Sequence, residues 1–128
     1  EVPTTGPGTP RTRTQVNAKV QAIVARLKAG EKVINKEGGN SMTPRIASKQ
    51  PVTIEAVDAS KLERGDIVYV KVRGNVYTHL VTALREGEVQ IGNNHGHVNG
   101  WTKLENVYGI ITEIDGVPVG GAREKVKA

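Results

Sequence analysis

The sequence predicts a mainly β protein: a compact antiparallel β domain preceded by one amphipathic helix. Beyond Gly30 the apolar residues are almost all Val, Ile and Leu, and they alternate with polar residues in short runs, which is the period of a pleated strand. Glycine-containing turns separate those runs, as expected of hairpins. Before Gly30 the pattern is different. Val16, Val20, Ile23, Val24 and Leu27 recur at helical spacing and form a single apolar stripe.

Residues 1–14 hold three prolines, two glycines and five threonines without apolar periodicity, and read as a flexible basic arm. The helix follows over 15–30, with Thr14 as its N-cap, Lys28 in its last turn and Gly30 closing its end. The β domain is expected over 31–116. A brief extended run at 32–36 is broken by Glu37-Gly38-Gly39-Asn40, and a second run spans 52–57. Over 66–73, Ile67, Tyr69 and Lys71 fall on one face, and Val68, Val70 and Val72 on the other. Gly74-Asn75 is placed to turn the chain into a partner strand at 76–84. Further strands are expected at 88–91 and 107–114, and 117–128 reads as a basic tail. The sheet is expected to be open or partly closed.

Composition removes several classes of function. With 128 residues the chain has room for one core, built without Phe. It has no cysteine, so disulfides, thiolate catalysis and cysteine-based zinc sites are excluded. No apolar run approaches the ~20 residues that span a bilayer. The net charge of +5 permits weak attraction to polyanions. Much of it sits at the ends, in Arg11, Arg13, Arg123, Lys125 and Lys127, and reads as solvated termini. The chain has three Tyr and one Trp and no DNA-reading motif, so nucleic acid is not expected as a partner. It begins at Glu1, which leaves a removed leader open.

The densest chemistry lies in Gly38-Gly39-Asn40-Ser41-Met42-Thr43-Pro44. A nucleophilic serine must stand on a rigid turn beside backbone N–H groups. Glycines supply the backbone freedom, and Pro44 fixes the chain after it. Taken alone, the stretch is also ordinary loop composition.

Further along come Arg64-Gly65-Asp66-Ile67-Val68, opening a strand, and His79 in the paired strand. With Gly-x-Ser-Met-x-Pro, this ordered set resembles the LexA/signal-peptidase superfamily of serine peptidases, over about Val33 to Ile114. The resemblance extends to small phage-encoded members of that superfamily. It implies a LexA/signal-peptidase-like β fold with Ser41 as nucleophile and His79 as general base, in the position that eukaryotic and archaeal signal peptidases give to histidine. Gly39, Asn40 and Met42 would form the turn that, with the Ser41 N–H, holds the oxyanion. An unshifted imidazole titrates near ~6.5, so activity would rise through neutral pH. Ile91-Gly92-Asn93-Asn94 looks like the Gly-Asp-Asn-Asn segment of those enzymes. Here Asn93 replaces the acid, so the usual acidic orienter is missing. LexA-like proteins cut themselves at an Ala-Gly bond, but Ala29-Gly30 lies close to Ser41 in sequence and reads as a helix end.

The stretch from Gly92 to Trp101 contains Asn93, Asn94, Asn99, His95, His97 and the only Trp. Three readings stay open for it. His95 or Asn94, with Asn93, supports His79 by hydrogen bonding in place of the acid. Alternatively His79, His95 and His97 hold a metal, although the superfamily resembled is not metal-dependent. The third reading is a hydrogen-bonded loop with Trp101 capping the core.

The expected function is therefore a soluble serine hydrolase, a peptidase with a Ser41-His79 dyad, acting without cofactor or metal on an extended protein or peptide segment. The alternative is a non-catalytic phage structural or interaction module, with residues 1–30 mediating homo-oligomer or phage assembly. The expected location is the cytoplasm of a bacterial host or a phage particle.

Overall fold

A computed structural model describes the backbone of residues 13–36, 39 and 41–127, and side chains from residue 18 onward within those ranges. The arm over 1–12, Asn40, and the side chains of Thr14 and Val16 lie outside the described residues.

The helix α1 spans Arg13–Lys28. Thr14 therefore lies inside its first turn and is not its cap. Gly30 ends it as expected, at φ 84°. The Glu31 N–H bonds back to the Arg26 carbonyl and the Gly30 N–H to that of Leu27, both at 3.0 Å, so the last carbonyls are satisfied by a Schellman closure. Ile23 and Leu27 are buried, which fixes the face α1 turns to the sheet.

Eight antiparallel strands follow in one sheet. They are β1 (Val33–Lys36), β2 (Pro51–Glu55), β3 (Ile67–Val72), β4 (Asn75–Arg85), β5 (Glu88–Gly92), β6 (Val98–Lys103), β7 (Val107–Ile114) and β8 (Val117–Pro118). The strand order is β1-β2-β7-β3-β4-β5-β6, with β8 paired to β7. The mainly β expectation holds, and six strands fall close to where the alternation placed them. Two were not anticipated. β6 carries Asn99 and Gly100, which are poor strand formers, and β8 is too short to show a period.

The β3–β4 turn is displaced from the expected Gly74-Asn75. Val72 pairs with Asn75, so Arg73 (φ 52°) and Gly74 (φ 84°) form the turn. Two positive φ values match the right-handed twist of the flanking strands.

β3 lies at the centre and divides the core. Val68, Val70 and Val72 enter one apolar cluster with Val81, Val89, Ile91, Val107 and Ile110. Ile67 and Tyr69 enter the other with Ile23, Leu27, Met42, Ile46, Ile54 and Ile111. The half of the sheet from β3 to β6 curls back on itself, since Thr102 Oγ1 on β6 donates to the Lys71 carbonyl on β3 at 2.8 Å. Trp101 does not cap the core; it is half-buried near the sheet edge, with the Arg85 guanidinium 4.0 Å above its ring.

Residues 117–127 do not behave as a solvated basic tail. Ala122 and Lys125 are buried, and Val126 bridges to Val57. The Lys125 ammonium meets Asp66 at 2.6 Å and Glu63 at 2.9 Å, and Arg123 meets the buried Glu55. Arg123 and Lys125 are thus used internally. No helix among the described residues is long and apolar enough to cross a membrane.

Candidate active site

Ser41 and His79 are brought together from different parts of the chain. His79 lies within β4, opposite Val68 of β3, and is 6% exposed. Ser41 stands exposed on the turn that follows β1. Its Oγ is 3.0 Å from His79 Nε2, within the reach a general base needs.

The turn is held on both sides. Below it, Met42 and Ile46 are buried in the core, and the Ile46 N–H closes a turn on the Met42 carbonyl at 3.0 Å. Above it, the β5–β6 loop supplies backbone and side-chain contacts. The Asn94 N–H donates to the Ser41 carbonyl at 2.8 Å, Asn94 Nδ2 donates to the Thr43 carbonyl at 2.8 Å, and Arg45 Nε donates to Asn94 Oδ1 at 2.9 Å. His95 Nε2 is 3.1 Å from Thr43 Oγ1. Asn93 organises the loop itself, its Oδ1 accepting from the N–H groups of His95 and His97, as asparagine commonly does in turns.

These contacts correct the expected support for His79. Asn93, Asn94 and His95 grip the serine turn and their own loop, not the imidazole. The residue that meets the ring is Asn99, with Oδ1 2.8 Å from His79 Nδ1. Asn99 reaches it because β6 is irregular there. Ile91 pairs with Gly100 and Gly92 with Val98, so Asn99 is the extra residue of a β-bulge, a device that re-aims a side chain. Gly92 makes room for this, because a Cβ on it would lie 2.8 Å from the His97 carbonyl oxygen.

With a carbonyl oxygen facing Nδ1, the ring carries its proton on Nδ1 and turns the Nε2 lone pair to Ser41. Tyr77 stacks on the ring at 4.7 Å and 16°, which further restricts it. Burial disfavours the imidazolium and pushes the His79 pKa below its ordinary 6.5; the Asn99 hydrogen bond opposes that shift and the nearby His97 adds to it. The expectation of an unshifted imidazole is corrected accordingly.

The turn residues divide. The Gly39 N–H donates to Ser48 Oγ at 3.2 Å, so it is engaged and not turned to an oxyanion. Met42 contributes a buried side chain that anchors the serine. Among the described residues the N–H groups of Ser41 and Met42 have no acceptor, and they are the backbone donors adjacent to Oγ.

Beside the pair lies a cavity of about 140 Å³, lined on one side by Ser41, Met42 and Ile46 and on the other by Val76, Tyr77 and His79. No group of three His, Asp or Glu among the described residues is arranged to hold a metal. No family model, no curated protein and no solved structure matches the chain.

Proposed function

We propose that the chain is a serine hydrolase, a peptidase in which Ser41, His79 and Asn99 act as nucleophile, general base and orienting group. One observation carries this reading. The Ser41 hydroxyl is within hydrogen-bond reach of His79 Nε2 while the other ring nitrogen is held by Asn99, and the pair opens onto a cavity. A serine used only for structure needs neither a fixed imidazole tautomer nor an adjoining pocket.

In the proposed reaction Ser41 Oγ attacks a peptide carbonyl while its proton passes to His79 Nε2. The carbonyl oxygen becomes an oxyanion, for which the Ser41 and Met42 N–H groups are the available donors. His79 then gives its proton to the departing amine, leaving an ester on Ser41. Water, deprotonated by the same Nε2, hydrolyses that ester and restores the serine. Asn99 fixes the ring but carries no charge, so it stabilises the imidazolium less than a carboxylate would.

The substrate would be an extended protein segment, the form that fits beside an exposed strand. β1 is such a strand, at the sheet edge with Ile34 exposed and the serine turn just beyond it. The test is labelling by a fluorophosphonate probe. The wild-type protein should be labelled and Ser41→Ala should not. A wild-type protein that stays unlabelled, although folded, would leave the fold serving as a binding or assembly module.

A further inference from the structure

A groove runs between α1 and the β3–β4 hairpin, and proposed catalysis does not account for it. One wall is the α1 face bearing Lys19, Val20, Val24 and Lys28; the other includes Lys71 and Val76. Its remaining lining includes Tyr69, Tyr77 and Tyr108, which are all three tyrosines of the chain. Tyrosine combines apolar area with a polar tip and few rotatable bonds, which suits it to a binding surface. Three lysines line the groove and no acidic residue does among the described residues. Lys28 and Lys71 form no ion pair with any described residue, whereas Arg123 and Lys125 near the C-terminus are paired internally.

The groove also leads to the serine. Val76 and Tyr77 of β4 line both it and the cavity beside Ser41. A chain seated in the groove would therefore pass along β4 directly into that cavity.

We infer that this groove binds an acidic peptide segment, extended across the groove with its carboxylates toward Lys28 and Lys71, and so selects which protein segment is delivered to Ser41. The delivery rests on the proposed peptidase reading; the binding does not. A nucleic acid would satisfy the lysines, but continuity with a cavity beside a serine nucleophile favours a peptide.

The test is fluorescence anisotropy with the Ser41→Ala protein, so that cleavage plays no part. The probes are a labelled peptide alternating Glu with Val, its Gln counterpart, and a single-stranded oligonucleotide of equal charge. The Glu peptide should bind best and weaken as salt rises. The double variant Lys28→Glu/Lys71→Glu should weaken it about tenfold, and Lys28→Gln/Lys71→Gln by less. Lys61→Glu/Arg64→Glu, an equal change of net charge on exposed residues outside the groove, should leave it unchanged. Equal binding of the Glu and Gln peptides, an equal loss in the Lys61/Arg64 variant, or preference for the oligonucleotide would each overturn the inference. Failure of fluorophosphonate labelling with peptide binding intact would instead count against the peptidase reading alone.

Discussion

Asn99 meets His79 across the bend of the sheet, Oδ1 to Nδ1 at 2.8 Å, from the one residue of β6 that has no partner on β5. The bulge and the imidazole orientation are therefore one feature. If β6 paired regularly, the side chain at 99 would take its place in the strand's alternation and would not meet Nδ1. The group supplied is a neutral acceptor. It can set the tautomer, but it adds little to the basicity of Nε2.

Replacing that acceptor with a charged one should change the pH profile in a defined direction. In Asn99→Asp the carboxylate would favour the imidazolium, so the midpoint of fluorophosphonate labelling should move up by on the order of 1 pH unit. The plateau rate should rise as well. Asn99→Ala should lower the rate by about 100-fold, since the ring loses both tautomer and orientation. Labelling rates measured across pH decide this; an unmoved midpoint in Asn99→Asp would separate Asn99 from the reacting imidazole.

In the unchanged protein, burial holds the His79 pKa below 6.5. Neutral imidazole, the form that accepts a proton, thus persists below pH 6.5, and labelling should reach its plateau by neutral pH with a midpoint on the acid side of that value. Stability follows the same linkage. The unfolded imidazole takes up a proton near its ordinary pKa, while the folded one resists until lower pH. Acidification through that window therefore favours unfolding, and the loss levels off below the folded pKa. His79→Gln should abolish labelling and flatten this part of the pH–stability curve, measured by urea unfolding.

Alternation alone reveals β2, β3, β4, β5 and β7, because Val and Ile at every second position mark a strand with at least one buried face. The helix was equally legible from its stripe and from Gly30. Motif order singles out Ser41 and His79, and the structure brings their side chains together. Asn99 was not found, and the reason is physical. Its role depends on a one-residue slip between β5 and β6, and a polar, glycine-rich stretch carries no period from which a slip can be read. The one available signal was Gly100 after Asn99, since an isolated glycine within a strand often marks a bulge. The C-terminal lysine and arginine misled for another reason. Charge runs at a terminus usually face solvent, and only the partners Asp66 and Glu55, far away in sequence, reveal that these do not.

Gly92 gives a test of how the bulge supports the site. A methyl group there would approach the His97 carbonyl oxygen to 2.8 Å and Thr82 Cγ2 to 3.0 Å. The first contact is with backbone, so the 93–97 loop must move. That loop holds the Ser41 carbonyl through Asn94 and leads into Asn99. Gly92→Ala should therefore cost about 1–3 kcal/mol in stability and lower labelling about 100-fold, because a displacement near 1 Å suffices for such a loss. Gly120→Ala has open space around the added carbon and should leave both unchanged. Activity preserved in a destabilised Gly92→Ala protein would show that the loop and the site are uncoupled.

The Lys125–Asp66 pair connects the C-terminal segment to the strand partner of His79. Asp66 immediately precedes β3; its Oδ2 accepts from the Glu63 N–H at 2.7 Å and its carbonyl from the Val81 N–H at 2.8 Å. Val81 lies two residues beyond His79 on β4. The Lys125 ammonium, on Oδ1 at 2.6 Å, is the charge that compensates this buried carboxylate. Removing it in Lys125→Ala leaves Asp66 buried without its cation, which should cost about 3–5 kcal/mol. The apolar replacement of both partners, Asp66→Leu with Lys125→Met, should be less damaging than Lys125→Ala alone, because no charge is then left stranded. It would still lose the Oδ2 contact that closes the turn before β3. Urea unfolding of the three proteins tests the order, and a Lys125→Ala protein as stable as wild type would mean that solvent compensates the Asp66 carboxylate once the ammonium is gone. The pair is thus expected to govern whether β3 and β4 stay in register beneath His79, and a folded Lys125→Ala protein should show slower labelling at unchanged pH midpoint.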